Sequence, residues 1–138
     1  MMSKIHTYQT ISSATEAEFK DRGSRFISHA YPVTNSTEVK VKLKHLKEIH
    51  PKAIHFCYAY RIGNNQELFR AVDDGEPSGS AGKPILGQID SLQLNNVLVI
   101  VIRYFGGVLL GVPGLINAYK TATHSALLQA EIIVKDVT

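Results

Sequence analysis

The most apolar stretch of the sequence is Val97-Leu-Val-Ile-Val-Ile-Arg-Tyr104. Its six consecutive aliphatic residues predict a β-strand that is buried on both faces, because a strand with one solvated face would alternate apolar and polar residues. The run stops at Arg103 and is far shorter than the roughly 20 residues that cross a bilayer. We therefore expect this strand at the centre of a sheet.

Further strands are predicted around this central one. Alternating patterns indicate strands at His6–Ser12, Arg25–Val33, Ile54–Ile62, Glu67–Val72 and Glu131–Val137. The turn-forming segment Gly63–Gln66 predicts an antiparallel hairpin between the third and fourth of these. Ala14–Phe19 is predicted as a helical turn, and the first two strands as an antiparallel pair.

Three helices follow from apolar residues at helical spacing, over Asn35–His50, Ser80–Leu92 and Leu115–Ala130. Asn35 and Ser80 are expected N-caps, since their short polar side chains accept hydrogen bonds from the first turn. Because hairpins and helices are interspersed, we predict an α+β fold: a mixed, mainly antiparallel sheet with the helices packed on one face.

Composition predicts one soluble domain over all 138 residues, with 44% hydrophobic and 20% charged residues. The single cysteine, Cys57, forms no internal disulfide, which is typical of a reducing compartment. The first residues show no signal-peptide pattern. The sequence therefore predicts a cytoplasmic protein without membrane segments.

Lysines are concentrated in one predicted helix. The net charge of +3 is mild, but five lysines fall between Lys40 and Lys52. One interpretation is a solvated helix face, and the other is a surface that binds RNA or the ribosome. The candidate contacts for nucleic acid are Lys40, Lys44, Lys47, Arg61 and Arg103.

The segment Asp73-Asp-Gly-Glu-Pro-Ser-Gly-Ser-Ala-Gly-Lys-Pro84, here called the signature loop, is too rich in glycine and proline for a regular element. Its carboxylates, Asp73, Asp74 and Glu76, either cap the next helix or hold a hard cation such as Mg²⁺. The spacing matches neither a phosphate-binding P-loop nor a nucleophile elbow. We predict no bound metal and no cofactor.

Arg103 needs an anionic partner, because an unpaired charge leaving a sheet core is costly. Asp73 or Asp74 is the expected partner, with Arg61 pairing with the other. Two interpretations stay open: a structural ion pair, or a basic cleft in which Arg61, Arg103 and Lys83 lie beside the acidic residues.

His55 and Cys57 project from the same face of the predicted strand Ile54–Ile62. A histidine and a cysteine can form a nucleophilic pair, but no third residue is placed to orient them. A buried, unreactive thiol is therefore predicted for Cys57.

Three blocks together resemble the signature of the YigZ/IMPACT family: His55–Arg61, the signature loop and Arg103–Gly107. The resemblance spans Gly23 to Ala122. It implies the fold of the second domain of a small-subunit ribosomal protein. Carried over to this chain, it marks a signature or binding cleft at His55, Arg61, Asp73, Asp74, Glu76, Ser80, Lys83 and Arg103.

The resemblance is incomplete after the central strand. Members of the family typically have a lysine near Leu109 and an arginine near Asn117, and both are uncharged here. Anion binding by this segment is therefore not expected. Bacterial members usually carry a further ferredoxin-like domain, and the resemblance leaves open whether this chain is truncated or a single-domain relative.

Three functions remain. The first is a non-catalytic binding domain linked to translational control through RNA, the ribosome or a protein partner, since eukaryotic relatives of this family act through such a partner. The second is a hydrolase-like enzyme acting on a phosphorylated or peptide-like small molecule, with a metal at Asp73–Glu76. The third is a protein-interaction module whose partner docks on the loops.

Overall fold

The computed structural model describes residues 7–63 and 68–137. Within them, the secondary-structure elements are, in chain order, β1 Thr7–Ile11, β2 Thr15–Asp21, β3 Ser24–Pro32, α1 Ser36–Ile49, β4 His55–Ile62, β5 Leu68–Val72, α2 Gly82–Ser91, β6 Val97–Tyr104, α3 Gly111–Leu128 and β7 Ile132–Asp136. The α+β class is confirmed. In the predicted turn over residues 63–66, Asn64, Asn65 and Gln66 lie outside the described residues.

The main sheet is antiparallel and has the strand order β2-β3-β6-β4-β5. Strand β6 is therefore central, as its unbroken aliphatic run predicts, and its residues from Val97 to Arg103 are all buried. The predicted hairpin of β4 and β5 is also confirmed, with Tyr58 opposite Val72 and Ile62 opposite Leu68.

Helices cover both faces of this sheet, so the prediction that they lie on one face is wrong. Helices α2 and α3 pack with Cys57 and Ala59 on one side. Helix α1 packs with Phe56 and Tyr60 on the other. The physical reason is that β4 and β6 are apolar on both faces, and leaving either face in water would forgo the burial of large side chains.

The helical turn predicted at Ala14–Phe19 is wrong, because all of these residues except Ala14 belong to β2, which pairs with β3. Ala17 and Phe19 face the core while Glu16 and Glu18 face outward, the two-residue period of a strand. The predicted pairing of the first two strands is also wrong, since β1 pairs with β7 in a separate two-stranded sheet.

Helix α1 begins as predicted. The Asn35 side chain accepts a hydrogen bond from the backbone N–H of Glu38 at 3.0 Å. The Glu38 carboxylate accepts from the backbone N–H of Thr34 at 2.7 Å, so it secures the residue before the cap. Among the described residues, no helix is long and apolar enough to cross a membrane.

Candidate functional site

Asp73 caps helix α2. Its carboxylate accepts hydrogen bonds from the backbone N–H groups of Gly79, Ala81 and Gly82 at 2.9, 3.2 and 2.9 Å. Burial pushes the pKa of Asp73 up, but these donors outweigh it and hold the pKa below its usual value. The capping interpretation of the signature loop is confirmed for this residue.

Ser80 is not the N-cap that the sequence predicts. Helix α2 has Ala81 at its N-cap position and no side-chain cap there. The Ser80 hydroxyl instead donates to the carbonyl oxygen of Pro77 at 2.6 Å and tightens the loop. The capping acceptor comes from Asp73, several residues upstream, which a search for an adjacent cap residue does not consider.

Asp74 fastens the loop to the start of β4. One of its carboxylate oxygens accepts from the backbone N–H of Phe56 at 2.7 Å, and its carbonyl oxygen lies 2.7 Å from Nδ1 of His55. The chain reverses here through Asp74 and Gly75, whose φ angles are +44° and +89°. A Cβ at Gly75 would lie 3.3 Å from the His55 ring, so glycine permits both the turn and the contact.

Glu76 points inward and pairs with Arg103. Nη1 of Arg103 lies 3.0 and 2.8 Å from the two carboxylate oxygens, and the Tyr119 hydroxyl donates to one of them at 2.5 Å. The prediction that Asp73 or Asp74 would pair with Arg103 is wrong. Backbone N–H groups already occupy those two carboxylates, so the third acid of the loop neutralises the arginine.

His55 and Cys57 complete this network. Nε2 of His55 lies 3.4 Å from Glu76, and the Cys57 sulfur lies 3.0 Å from the Asp73 carbonyl oxygen and 3.3 Å from the Tyr119 hydroxyl. Burial raises the pKa of the Cys57 thiol far above neutral pH. The thiol is therefore protonated and buried, as predicted, and does not act as a nucleophile.

Arg61 does not join this network. Its guanidinium forms a two-pronged ion pair with Asp90, with Nε 2.7 Å from Oδ1. In the β4–β6 register His55 lies opposite Arg103 whereas Arg61 lies opposite Val97, about 20 Å further along the strand. The expected pairing of Arg61 with Asp73 or Asp74 is therefore wrong, and the open alternative of a basic cleft formed by Arg61, Arg103 and Lys83 is contradicted.

Lys83 is exposed in the first turn of α2, where its charge contributes to the lowered pKa of Asp73. The network beside it is closed: the side chains of Glu76 and Arg103 are only 4% and 6% exposed. The signature loop and Arg103 thus meet, as expected, but they form no opening to solvent. Their contact ties the loop to the central strand.

Tyr119 is the member of the network that sequence reasoning missed. The pattern places it on the buried face of α3, where it is fully buried. The available signal was its hydroxyl group, because a buried tyrosine on an apolar helix face needs a hydrogen-bond partner. Sequence spacing shows that need but cannot show that Glu76 meets it.

The backbone at Gly106 passes close to the turn between β2 and β3, and this contact helps to position Arg103. The Ser24 hydroxyl lies 3.3 Å from Nη2 of Arg103 and accepts from the backbone N–H of Gly106 at 3.2 Å. A Cβ at Gly106 would lie 2.0 Å from the carbonyl carbon of Gly23. Gly106 therefore permits the close approach of the two backbones, whereas a Cβ at Gly107 would meet nothing within 4 Å and that residue adopts a positive φ of +88°.

Lys40, Lys44 and Lys47 form one exposed surface, here called the lysine flank. They are four and three residues apart, so they lie on one side of α1. With Leu43 and Glu48, which lie on the same helix, they form an open surface along α1. Arg61 and Arg103, the other nucleic-acid candidates, lie elsewhere and are engaged in ion pairs.

Large apolar side chains are exposed just after β6. This group, called the apolar surface, comprises Phe105, Val108, Leu109, Val112 and Ile116. Leu109 is 83% exposed. Clusters of this kind on a folded protein commonly mark contacts with other macromolecules.

The fold and the site define an α+β domain whose acidic loop is locked to its central strand by a buried polar network. The family model described as the Impact N-terminal domain matches residues 22–127. This chain belongs to that family, which confirms the resemblance carried by the three sequence blocks.

Relatives and solved structures agree with this assignment. The IMPACT family member YvyE of Bacillus subtilis is 41% identical over 123 residues, which cover 89% of this chain and 57% of that protein. The crystal structure of a hypothetical protein aligns with a TM-score of 0.92 at 30% identity, over 96% of this chain and 66% of the other. The two-domain translational regulator Yih1 aligns with a TM-score of 0.50 at 30% identity, over 88% and 46%.

Proposed function

We propose that this chain is a non-catalytic binding domain that acts in translational control by contacting RNA or the ribosome through the lysine flank. The observation that carries the proposal is the exposure of Lys40, Lys44 and Lys47 on one side of α1. Several ammonium groups on one side of a helix attract a polyanion such as a phosphate backbone, because each can neutralise one phosphate and release its counterions. Similarity to a translational regulator supports the same role.

The enzymatic alternative has less support, because the acidic residues that it needs are already engaged. Asp73 accepts three backbone hydrogen bonds, Asp74 accepts one, and Glu76 is paired with Arg103. In residues 7–63 and 68–137, no group of three or more His, Cys, Asp or Glu side chains is arranged to hold a metal ion. A metal ion at the loop would compete with these contacts for the same carboxylates.

The test is a titration of fluorescently labelled RNA with the wild-type protein and with the Lys40→Gln/Lys44→Gln/Lys47→Gln variant. We expect the variant to lose about tenfold or more in affinity at low salt, since several phosphate contacts disappear. The matched control replaces three exposed lysines elsewhere, Lys20, Lys120 and Lys135, by glutamine. Equal losses of RNA affinity in both variants would show that only the net charge matters, and would contradict a specific role for the lysine flank.

A protein partner is the second candidate, and the apolar surface favours it. Exposed side chains such as Leu109 and Val112 lose water on association, so this binding would depend little on salt. A Leu109→Asp variant should lose such a partner while keeping RNA affinity. The test is a pull-down at high salt with the wild type, the lysine variant and Leu109→Asp. A partner that the first two retain and Leu109→Asp loses would favour protein binding over RNA binding.

A further inference from the structure

A groove lies on the opposite side of α1 from the lysine flank. It opens between α1 and the β2–β3 hairpin and has a volume of about 440 Å³. That volume falls within the range of pockets that hold small organic molecules. We call it the β2 groove, and its walls carry Glu16, His29, Tyr31, Lys42, His45 and Ile49.

The α1 wall of the β2 groove is basic. Lys42 and His45 both line it, and Lys42 Nζ lies 5.0 Å from the centre of the Tyr31 ring. This cation–π contact holds the ammonium group over the floor of the groove. The wall therefore offers a positioned positive charge and an exposed imidazole to an anionic group such as a phosphate.

The opposite wall is acidic. The Glu16 side chain on β2 is 71% exposed, and its nearest basic group, Nδ1 of His29, is 3.8 Å away, longer than a hydrogen bond. Burial lowers the pKa of His29, so its ring is neutral at pH 7 and does not neutralise Glu16. The carboxylate remains available to accept a hydrogen bond from a donor inside the groove.

The floor between these walls is apolar and aromatic. The rings of His29 and Tyr31 are stacked with an interplanar angle of 7°, and Ile49 is 54% exposed beside them. A flat, partly apolar body would cover this floor. A ligand that fits all three features has an anion at one end, a flat body and a hydrogen-bond donor at the far end.

We propose that the β2 groove binds one unpaired RNA nucleotide whose base carries an exocyclic amine. Lys42 and His45 contact the phosphate, the base lies against the exposed side chain of Ile49 beside the two stacked rings, and Glu16 accepts from the amine. Carboxylates accept from the N4 amine of cytosine, whereas uracil offers an acceptor at the same position. Proteins read RNA sequence mainly on such unpaired bases. This inference rests on the proposed RNA-binding function and adds base preference to it.

The experiment compares two labelled single strands, ten cytidines and ten uridines, which differ in the group at C4. We expect the wild type to bind the cytidine strand about five- to tenfold more tightly. Glu16→Ala should equalise the two affinities, and Lys42→Gln should weaken both. Glu18→Ala is the matched control, because Glu18 lies on the same face of β2 and pairs with Arg25 outside the groove.

The outcomes separate this inference from the proposed function. Equal binding of the two strands by the wild type would overturn the proposed nucleotide site in the β2 groove, and so would a preference for cytidine that persists in Glu16→Ala. Either result would leave RNA binding by the lysine flank unaffected. A base-paired RNA that binds as tightly as the single strands would overturn the nucleotide site in the same way. No binding to any RNA would overturn both.

Discussion

The carboxylate of Glu76 and the guanidinium of Arg103 form a buried ion pair, with Nη1 3.0 and 2.8 Å from the two oxygens. The pair joins the signature loop to the central strand, and the Tyr119 hydroxyl extends it to α3. Three parts of the chain far apart in sequence therefore meet at one carboxylate. We interpret the acidic loop as a structural lock, which leaves binding to the exposed surfaces.

Glu76→Gln should destabilise the fold by about 3 kcal/mol, because it leaves the buried charge of Arg103 uncompensated. Urea unfolding followed by circular dichroism measures this loss. Adding Arg103→Met should recover part of it, since the double variant buries no unpaired charge. A loss below about 1 kcal/mol for Glu76→Gln would show that solvent reaches the pair.

Gly82→Ala should destabilise by about 2 kcal/mol, because its Cβ would lie 2.5 Å from the backbone nitrogen of Val72. Gly87, in the same helix, is the control: a Cβ there meets nothing within 4 Å. Gly87→Ala should stabilise by about 0.5–1 kcal/mol through helix propensity. Thermal unfolding of the two variants checks the contrast, and similar shifts would contradict the packing of α2 against β5.

Stability should fall in mild acid because of His29. Burial lowers the pKa of its folded-state imidazole, so the unfolded chain binds the proton more readily. The contribution is fully present above the unfolded value of about 6.5 and is lost as pH falls from there toward the lowered folded pKa. Urea midpoints between pH 5 and 8 should rise with pH less steeply in His29→Phe than in wild type, and identical slopes would contradict this origin.

Cys57 should resist thiol reagents in the folded protein. It is fully buried, and burial raises the pKa of its thiol. Labelling by a disulfide reagent at pH 8 should therefore be slow in buffer and complete within minutes in concentrated urea. Rapid labelling in buffer would mean that the network around Tyr119 opens readily.

Much of the fold could be predicted from local sequence patterns. The aliphatic run of β6, the position of strand β4 and the Asn35 cap each depend on neighbouring residues, and each was predicted correctly. What failed depended on distant residues. The sequence of β2 resembles a helical turn, and only its pairing with β3 identifies it as a strand. Three acidic residues are candidate partners for Arg103, and the structure shows that two of them, Asp73 and Asp74, accept hydrogen bonds from backbone N–H groups instead.

The candidate surfaces divide in the same way. The spacing of Lys40, Lys44 and Lys47 along one helix was visible in the sequence, so the lysine flank could be predicted. The β2 groove could not, because Glu16 and Lys42 come together only through the packing of α1 beside a strand that the pattern had assigned to a helical turn. The partner of Arg61 was predicted wrongly because Asp90 lies on α2, and the sequence does not show that this helix packs beside β4.

The dependence of RNA affinity on salt concentration is the sharpest test of RNA binding by the lysine flank. Each phosphate contact with single-stranded RNA contributes about 0.7 to the slope of log affinity against log salt concentration. We expect the Lys40→Gln/Lys44→Gln/Lys47→Gln variant to have a slope shallower than wild type by about 2, while the variant of Lys20, Lys120 and Lys135 keeps the wild-type slope. Equal slopes in wild type and the flank variant would show that the lysine flank makes no phosphate contacts.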